Sequence, residues 1–303
     1  MRIKSLIALA AAAALTLTGC AAGAGQPAAS NNTAGGSTPA ASNRTITIGV
    51  VGSSQPQWEL YTQKAKEQGL NVELKNFTDY TTENPAVSNG SLVANQFQHI
   101  LYLARYNKDN NGDLVPVAST AIYPLALYSS KFKSVEEIPA GEQIAVPNDE
   151  TNKSRALHVL AEAGLVKLKD GTGVIAGEED IDAANSKVTV APMDAQQTVT
   201  ALPSIAGAVV NNDFVSDAGL NPADALFSDD ADSEAAEPYI NIFVVRKGDA
   251  EDPEVLKAAR LLHDPEIVEA LKKDSGDSAV IVDKTPAELQ EILDKVSSDL
   301  VKG

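Results

Sequence analysis

From residue 45 onward, apolar and polar positions fall into short runs that switch between two periods. TITIGVV (45–51), NVELKNF (71–77), LVPVAST (114–120), PLALYS (124–129), QIAV (143–146), KVTVAP (187–192), GAVVNN (207–212) and YINIFVVRK (239–247) are rich in β-branched residues and read as strands. Between them, WELYTQKAKEQG and RALHVLAEAGL show helical spacing, the second placing Ala156, Leu157, Leu160, Ala161 and Leu165 on one face, and a short helix falls near QQTVTAL. This alternation predicts an α/β architecture. Three helices close the chain. Two open with D-P-E at 252–254 and 264–266 and one with TPAEL at 285, each a cap followed by a pre-set first turn; in the last, Leu289, Ile292, Leu293, Val296 and Leu300 form one stripe.

The turn VPNDETNKSR (146–155) joins a strand to a helix, with Asp149 or Thr151 as its N-cap. Capping leaves Asn148, Asn152 and Arg155 without a purpose, and Asn152 and Arg155 share a helix face. A small carboxylate at this terminus would be held by free amides, the helix dipole and a guanidinium fork. A capped turn with a solvated arginine is the simpler alternative.

Ahead of these elements, MRIKSLIALAAAAALTLTGC has basic residues, a short apolar run and small residues before the lone cysteine, Cys20, which predicts a signal peptide over 1–19. LTGC resembles a bacterial lipobox, which implies lipidation of Cys20. Residues 20–43, uncharged and without large apolar side chains, read as a flexible tether. With one cysteine, no internal disulfide can form. The net charge of -17 makes nucleic acid and anionic headgroups poor partners. The acidic run SDDADSEAAEP (228–238) lacks a calcium-loop pattern and is expected to be a solvated loop.

No enzyme motif stands out. His99, His158 and His263 lack metal-ligand spacing, His158 reads as a packed core residue, and GDSAV (276–280) is not a hydrolase elbow. No cofactor is expected.

The segments NFTDY (76–80), ANQFQHILYL (94–103), AIYPLALYS (121–129), VPNDETNKSRAL (146–157), AVVNN (208–212) and EPYINIFVVR (237–246) resemble, in order and spacing, the NlpA/MetQ family of methionine-binding lipoproteins of ABC importers. The resemblance covers nearly all of 44–265. It implies a two-lobed, periplasmic-binding-protein-like α/β fold with the ligand cleft between lobes, 44–131 with 239–303 forming lobe I and 132–238 lobe II. It further implies that Arg155 takes the ligand carboxylate with Asn148 and Asn152 nearby, and that Asn211 and Asn241 meet the ligand's polar end. Tyr80, Phe97, His99, Tyr102 and Tyr123 would wall a side-chain pocket. The implied partners are a methionine-like amino acid, an ABC permease and the membrane through the lipid, for a monomer on the extracytoplasmic face.

Two departures stand out: Leu101 occupies a position where the family usually has proline, and PMDAQQTVTAL (192–202) replaces a family segment near the cleft. Two other readings remain at this level, a surface-anchored hydrolase or transferase using His99 with Asp79, and a metal-capturing lipoprotein.

Overall fold

The structure, a computed structural model, describes residues 44–302. The expected signal peptide, Cys20 and the tether lie outside the described residues. Two sheets organise the rest. The first has five strands in the order β2 (Asn71–Phe77), β1 (Thr45–Val51), β3 (Ala94–His99), β11 (Asn241–Arg246), β4 (Leu114–Ser119). Strands β1, β2 and β3 are parallel, and β11 returns antiparallel between β3 and β4.

Alternation along β11 explains how this sheet is covered. Phe243 and Val245 face a cluster with Trp58 and Tyr61 of α1 (Pro56–Glu67), α6 (Pro253–Arg260) and Ile267 of α7 (Pro265–Asp274). Ile242 and Val244 face the opposite cluster, which includes Val87 of α2 (Glu83–Ser88), α3 (Ile100–Asn110) and α8 (Pro286–Lys302). The expected stripe Leu289, Ile292, Leu293, Val296 and Leu300 is the buried face of α8. Caps form as the sequence suggests: Asp252 accepts from the amides of Glu254 and Val255, Asp264 from that of Glu266, and Thr285 and Glu288 make a reciprocal capping box.

The second sheet orders β10 (Phe227–Ser228), β6 (Ala126–Tyr128), β9 (Gly207–Val210), β7 (Gln143–Pro147), β8 (Thr189–Met193), with α4 (Glu150–Glu162) and α5 (Ala195–Ala201) packed around it. Gly207 permits the close pairing of β9 with β6, because a Cβ there would lie 2.8 Å from the Tyr128 carbonyl oxygen. A short pair, β5 (Ala121–Ile122) with β12 (Val280–Ile281), flanks the first sheet.

One boundary differs from expectation. Ala126–Tyr128, inside the expected first lobe, pairs with β9 and β10, so the chain changes sheets between Ile122 and Ala126 rather than after residue 131. An apolar tripeptide fits either sheet by pattern, and only its partners decide. The return crossing lies between Ser228 and Asn241.

Strand β3 is absent from the sequence expectation because ANQFQH is largely polar. Its Asn95 and Gln98 are buried yet bonded: Asn95 Nδ2 and Gln98 Nε2 donate to Asn84 Oδ1 at 2.8 and 2.6 Å, and Asn84 Nδ2 donates to Gln98 Oε1 at 2.8 Å. Polar side chains tolerate a central strand when their hydrogen bonds close on one another.

Candidate functional site

A cavity of about 440 Å³, counting its mouth, lies between the two sheets and is lined from both. From the first side come Tyr80, after β2, then Phe97 and His99 at the end of β3, Tyr102 in the first turn of α3, and Asn241 at the start of β11; from the second come Asn152 and Arg155 of α4 and the Asn211–Asp213 turn after β9. Tyr123 lies in the crossing segment.

The aromatic side is one packed group. Tyr80 has ring centroids 5.6 Å from Phe97, 6.3 Å from Tyr102 and 5.4 Å from Phe214, while His99 stands edge-on to Tyr102 and Tyr239. The Tyr102 hydroxyl donates to the Tyr80 carbonyl oxygen at 2.7 Å, tying α3 to the loop after β2. Tyr123 lines the cavity with its neighbours Pro124 and Leu125, and its carbonyl oxygen accepts from Arg155 Nη2 at 2.8 Å.

The polar side has a determined orientation. Asp149 caps α4, accepting from the Asn152 amide at 2.9 Å and, on both oxygens, from Asn152 Nδ2 at 3.1 Å. Since a carboxylate only accepts, Asn152 Oδ1 must point away from it, toward His99 Nε2 at 3.2 Å and Asn211 Nδ2 at 2.9 Å. His99 Nδ1 accepts from the Tyr102 amide at 3.1 Å, so the imidazole is the Nε2–H tautomer; burial, with the Arg155 charge adding, holds it neutral, down to about 3. The His99–Asn152 bond crosses from one sheet to the other, as does Tyr80 Oη to Asp213 Oδ2 at 2.8 Å.

Four expectations change. Asn148 is exposed and does not line the cavity; it precedes the cap, points outward, and donates to Asp194 at 2.8 Å. The fork of Arg155 is already engaged, with Nε and Nη2 on Asp229 at 2.6 and 3.2 Å and the guanidinium 4.1 Å above the Tyr239 ring, so that only Nη1 lies outside these hydrogen bonds. The acidic run is accordingly not just a solvated loop: its Asp229 holds Arg155, its Ala231 and Ala236 are buried, and Glu234–Tyr239 is a 3-10 turn. His158 is half-buried rather than packed in the core. Sequence reasoning also missed Gln98, Asn212 and Asp213 as lining residues, although Asn212 and Asp213 continue the polar run begun by Asn211.

His99 spends both nitrogens on Asn152 and Tyr102, while Asp79 accepts from the amide and hydroxyl of Thr81, so these two do not form an acid–base pair. Among the described residues, no three His, Cys, Asp or Glu side chains cluster to hold a metal, and no helix is long and apolar enough to cross a membrane. The divergent segment 192–202 stays outside the cavity: Gln196, Val199, Thr200 and Leu202 line a neighbouring groove facing residues 51–54 and 76–78. Leu101, in place of proline, is buried in the first turn of α3.

Two lobes, two chain crossings and a small cavity closed by side chains from both lobes define a two-lobed solute-binding protein. The NlpA lipoprotein family model matches residues 46–282, and the chain belongs to that family. It is 40% identical over 240 residues to the D-methionine-binding lipoprotein MetQ of Salmonella typhimurium, covering 78% of this chain and 87% of the relative. Among solved structures, a nutrient-binding protein from Burkholderia cenocepacia bound to methionine is 36% identical with a TM-score of 0.72, covering 78% of this chain and 99% of that one. The substrate-binding protein of a methionine transporter from Streptococcus pneumoniae is 34% identical with a TM-score of 0.73, covering 78% and 95%.

Proposed function

We propose that this chain is the lipid-anchored, substrate-binding subunit of an ABC importer, capturing methionine or a closely related amino acid outside the cytoplasm and delivering it to a permease. The observation that carries this reading is the cavity itself, with an aromatic wall on one lobe facing a cation and amides on the other. Arg155 Nη1 takes the ligand carboxylate, with Asn152 oriented beside it. Asn211 and Asn241 meet the polar end, and Tyr80, Phe97, His99, Tyr102 and Tyr123 enclose the side chain. A thioether against aromatic edges gains about 0.3–1.5 kcal/mol per contact. Relatives named for binding methionine support the ligand class, and lipoprotein relatives support attachment through Cys20. A flexible tether would keep a monomeric receptor near its permease at raised effective concentration.

Mass spectrometry of the small molecules released when the purified protein is denatured tests this reading. Methionine or a close analogue is the expected species. A released metal would support the metal-capturing alternative instead. An empty cavity, together with no amino-acid binding after refolding, would reject the receptor reading.

A further inference from the structure

The charges at the cavity do not balance. Among the lining residues Arg155 is the only Arg or Lys and Asp213 the only carboxylate, but the two do not pair. Arg155 is neutralised by Asp229 from behind the wall. For Asp213 the side-chain partner is the uncharged Tyr80 hydroxyl at 2.8 Å, and no Lys or Arg forms an ion pair with it among the described residues. With the lobes closed, the cavity therefore carries an uncompensated negative group.

An unsatisfied acceptor lies two residues away in the chain. Asn211 Oδ1 is buried with no hydrogen-bond partner. Its orientation follows from the network: Asp149 turns Asn152 Oδ1 toward Asn211, which must answer with Nδ2. Swapping the Asn211 amide would set its oxygen against Asn152 Oδ1, whose direction Asp149 fixes. A buried acceptor without a donor is costly, and one at a binding cavity calls for a ligand.

Two acceptors and one surplus negative charge, on the single turn Asn211–Asp213, fit a group that only donates and is positive. A primary ammonium has three N–H donors and a unit charge; a carboxylate or thioether has neither, and a neutral hydroxyl has a single donor and no charge. We infer that Asp213, set by the Tyr80 hydroxyl and assisted by Asn211 Oδ1, is the residue that selects ligands bearing a free amino group. The inference rests on the amino-acid reading above and adds to it the group that distinguishes an amino acid from a plain carboxylic acid.

The titration behaviour of Asp213 agrees with this role. Burial pushes its carboxyl up to about 7 although the Tyr80 bond opposes the rise, as expected where no cation faces it. Glu83 and Asp149 act on the same Tyr80 hydroxyl and are also acidic, so they cannot supply the missing positive charge.

The test is calorimetry at pH 8 on ligand-stripped wild type, Asp213→Asn and Tyr80→Phe, each titrated with methionine and with 4-(methylsulfanyl)butanoate, the same molecule without its amino group. Asp213→Asn is expected to weaken methionine binding by about 10- to 100-fold and to leave the desamino acid within about twofold. Tyr80→Phe, which keeps the ring but frees the carboxylate, should show a smaller loss confined to methionine, and it carries the comparison if Asp213→Asn does not fold. Equal losses for both ligands, no loss for either, or a wild type that binds both equally well would overturn the assignment while leaving the receptor reading intact. A wild type that binds neither would overturn both.

Discussion

Arg155 and Asp229 meet edge to edge, Nε to Oδ2 at 2.6 Å and Nη2 to Oδ1 at 3.2 Å, although 74 residues separate them. Asp229 Oδ1 also accepts from the Leu125 amide at 2.8 Å, so the carboxylate joins α4 to both crossing segments. The arginine is thereby pinned before any ligand arrives. Such preorganisation limits the ordering that binding must otherwise impose.

Replacing Arg155 by alanine removes the proposed carboxylate contact and leaves Asp229 without its counter-charge. Methionine affinity is expected to fall roughly 30-fold to several thousandfold, with a lower melting temperature. Lysine should not restore binding, because it cannot engage Asp229 with two parallel N–H donors. Unchanged affinity by calorimetry in Arg155→Ala would sink the carboxylate role.

Asp229→Asn separates positioning from contact. The variant keeps the arginine but loosens it, so binding should weaken less than in Arg155→Ala while the heat of binding becomes less favourable. If Asp229→Asn matched Arg155→Ala in full, the aspartate would have to touch the ligand itself.

Glu83 offers a pH signature away from the ligand. Its carboxyl is fully buried, and burial, opposed by backbone hydrogen bonds at Glu83 and Thr82 and reinforced by Asp79 and Asp213, raises it to about 8. Its charge also acts on the Tyr80 and Tyr102 hydroxyls. A folded-state value above the unfolded one means the stability tied to its protonation is present at low pH and lost as pH rises toward 8. Glu83→Gln should therefore melt near wild type at pH 4 and above it at pH 8. A difference independent of pH between 4 and 8 would show that Glu83 does not carry this linkage.

Selectivity tests the aromatic wall. Methionine at 100 times its dissociation constant should stabilise ligand-stripped protein by about 2.7 kcal/mol. Norleucine, which keeps the apolar burial without sulfur, should shift the melting temperature less, and glutamate or lysine hardly at all at equal concentration. Equal shifts from all four would show that the wall does not select.

Membrane attachment is tested with Cys20→Ser. Loss of the lipid site should release the protein from washed membranes, since stable anchoring needs the acyl chains. Retention of the variant after a high-salt wash would require another anchor.

Short-range chemistry determined much of this molecule. The alternation in TITIGVV and NIFVVR, the D-P-E caps, the stripe on α8 and the Asp149 cap all formed as read, because each depends on neighbours within a few residues. The cavity members Tyr80, Phe97, His99, Tyr102, Tyr123, Asn152, Arg155, Asn211 and Asn241 were legible through the family resemblance of their segments, and the structure brings all nine to one place.

What escaped the sequence depended on partners far along the chain. ANQFQH could become a central strand only once Asn84 closed the hydrogen bonds of Asn95 and Gln98. Ala126–Tyr128 joined the second sheet because β9 and β10 offered it edges there. Asn148 left the site because the residue before the cap points outward to Asp194. Asp229 looked like one acid among several until folding buried Arg155 beside it, and Asp213 acquired a role only when lobe closure placed it against Tyr80. Local periodicity and capping are written in consecutive residues; the pairing of buried charges and polar groups is decided by which distant segments exclude water together, and only the tertiary structure makes that choice.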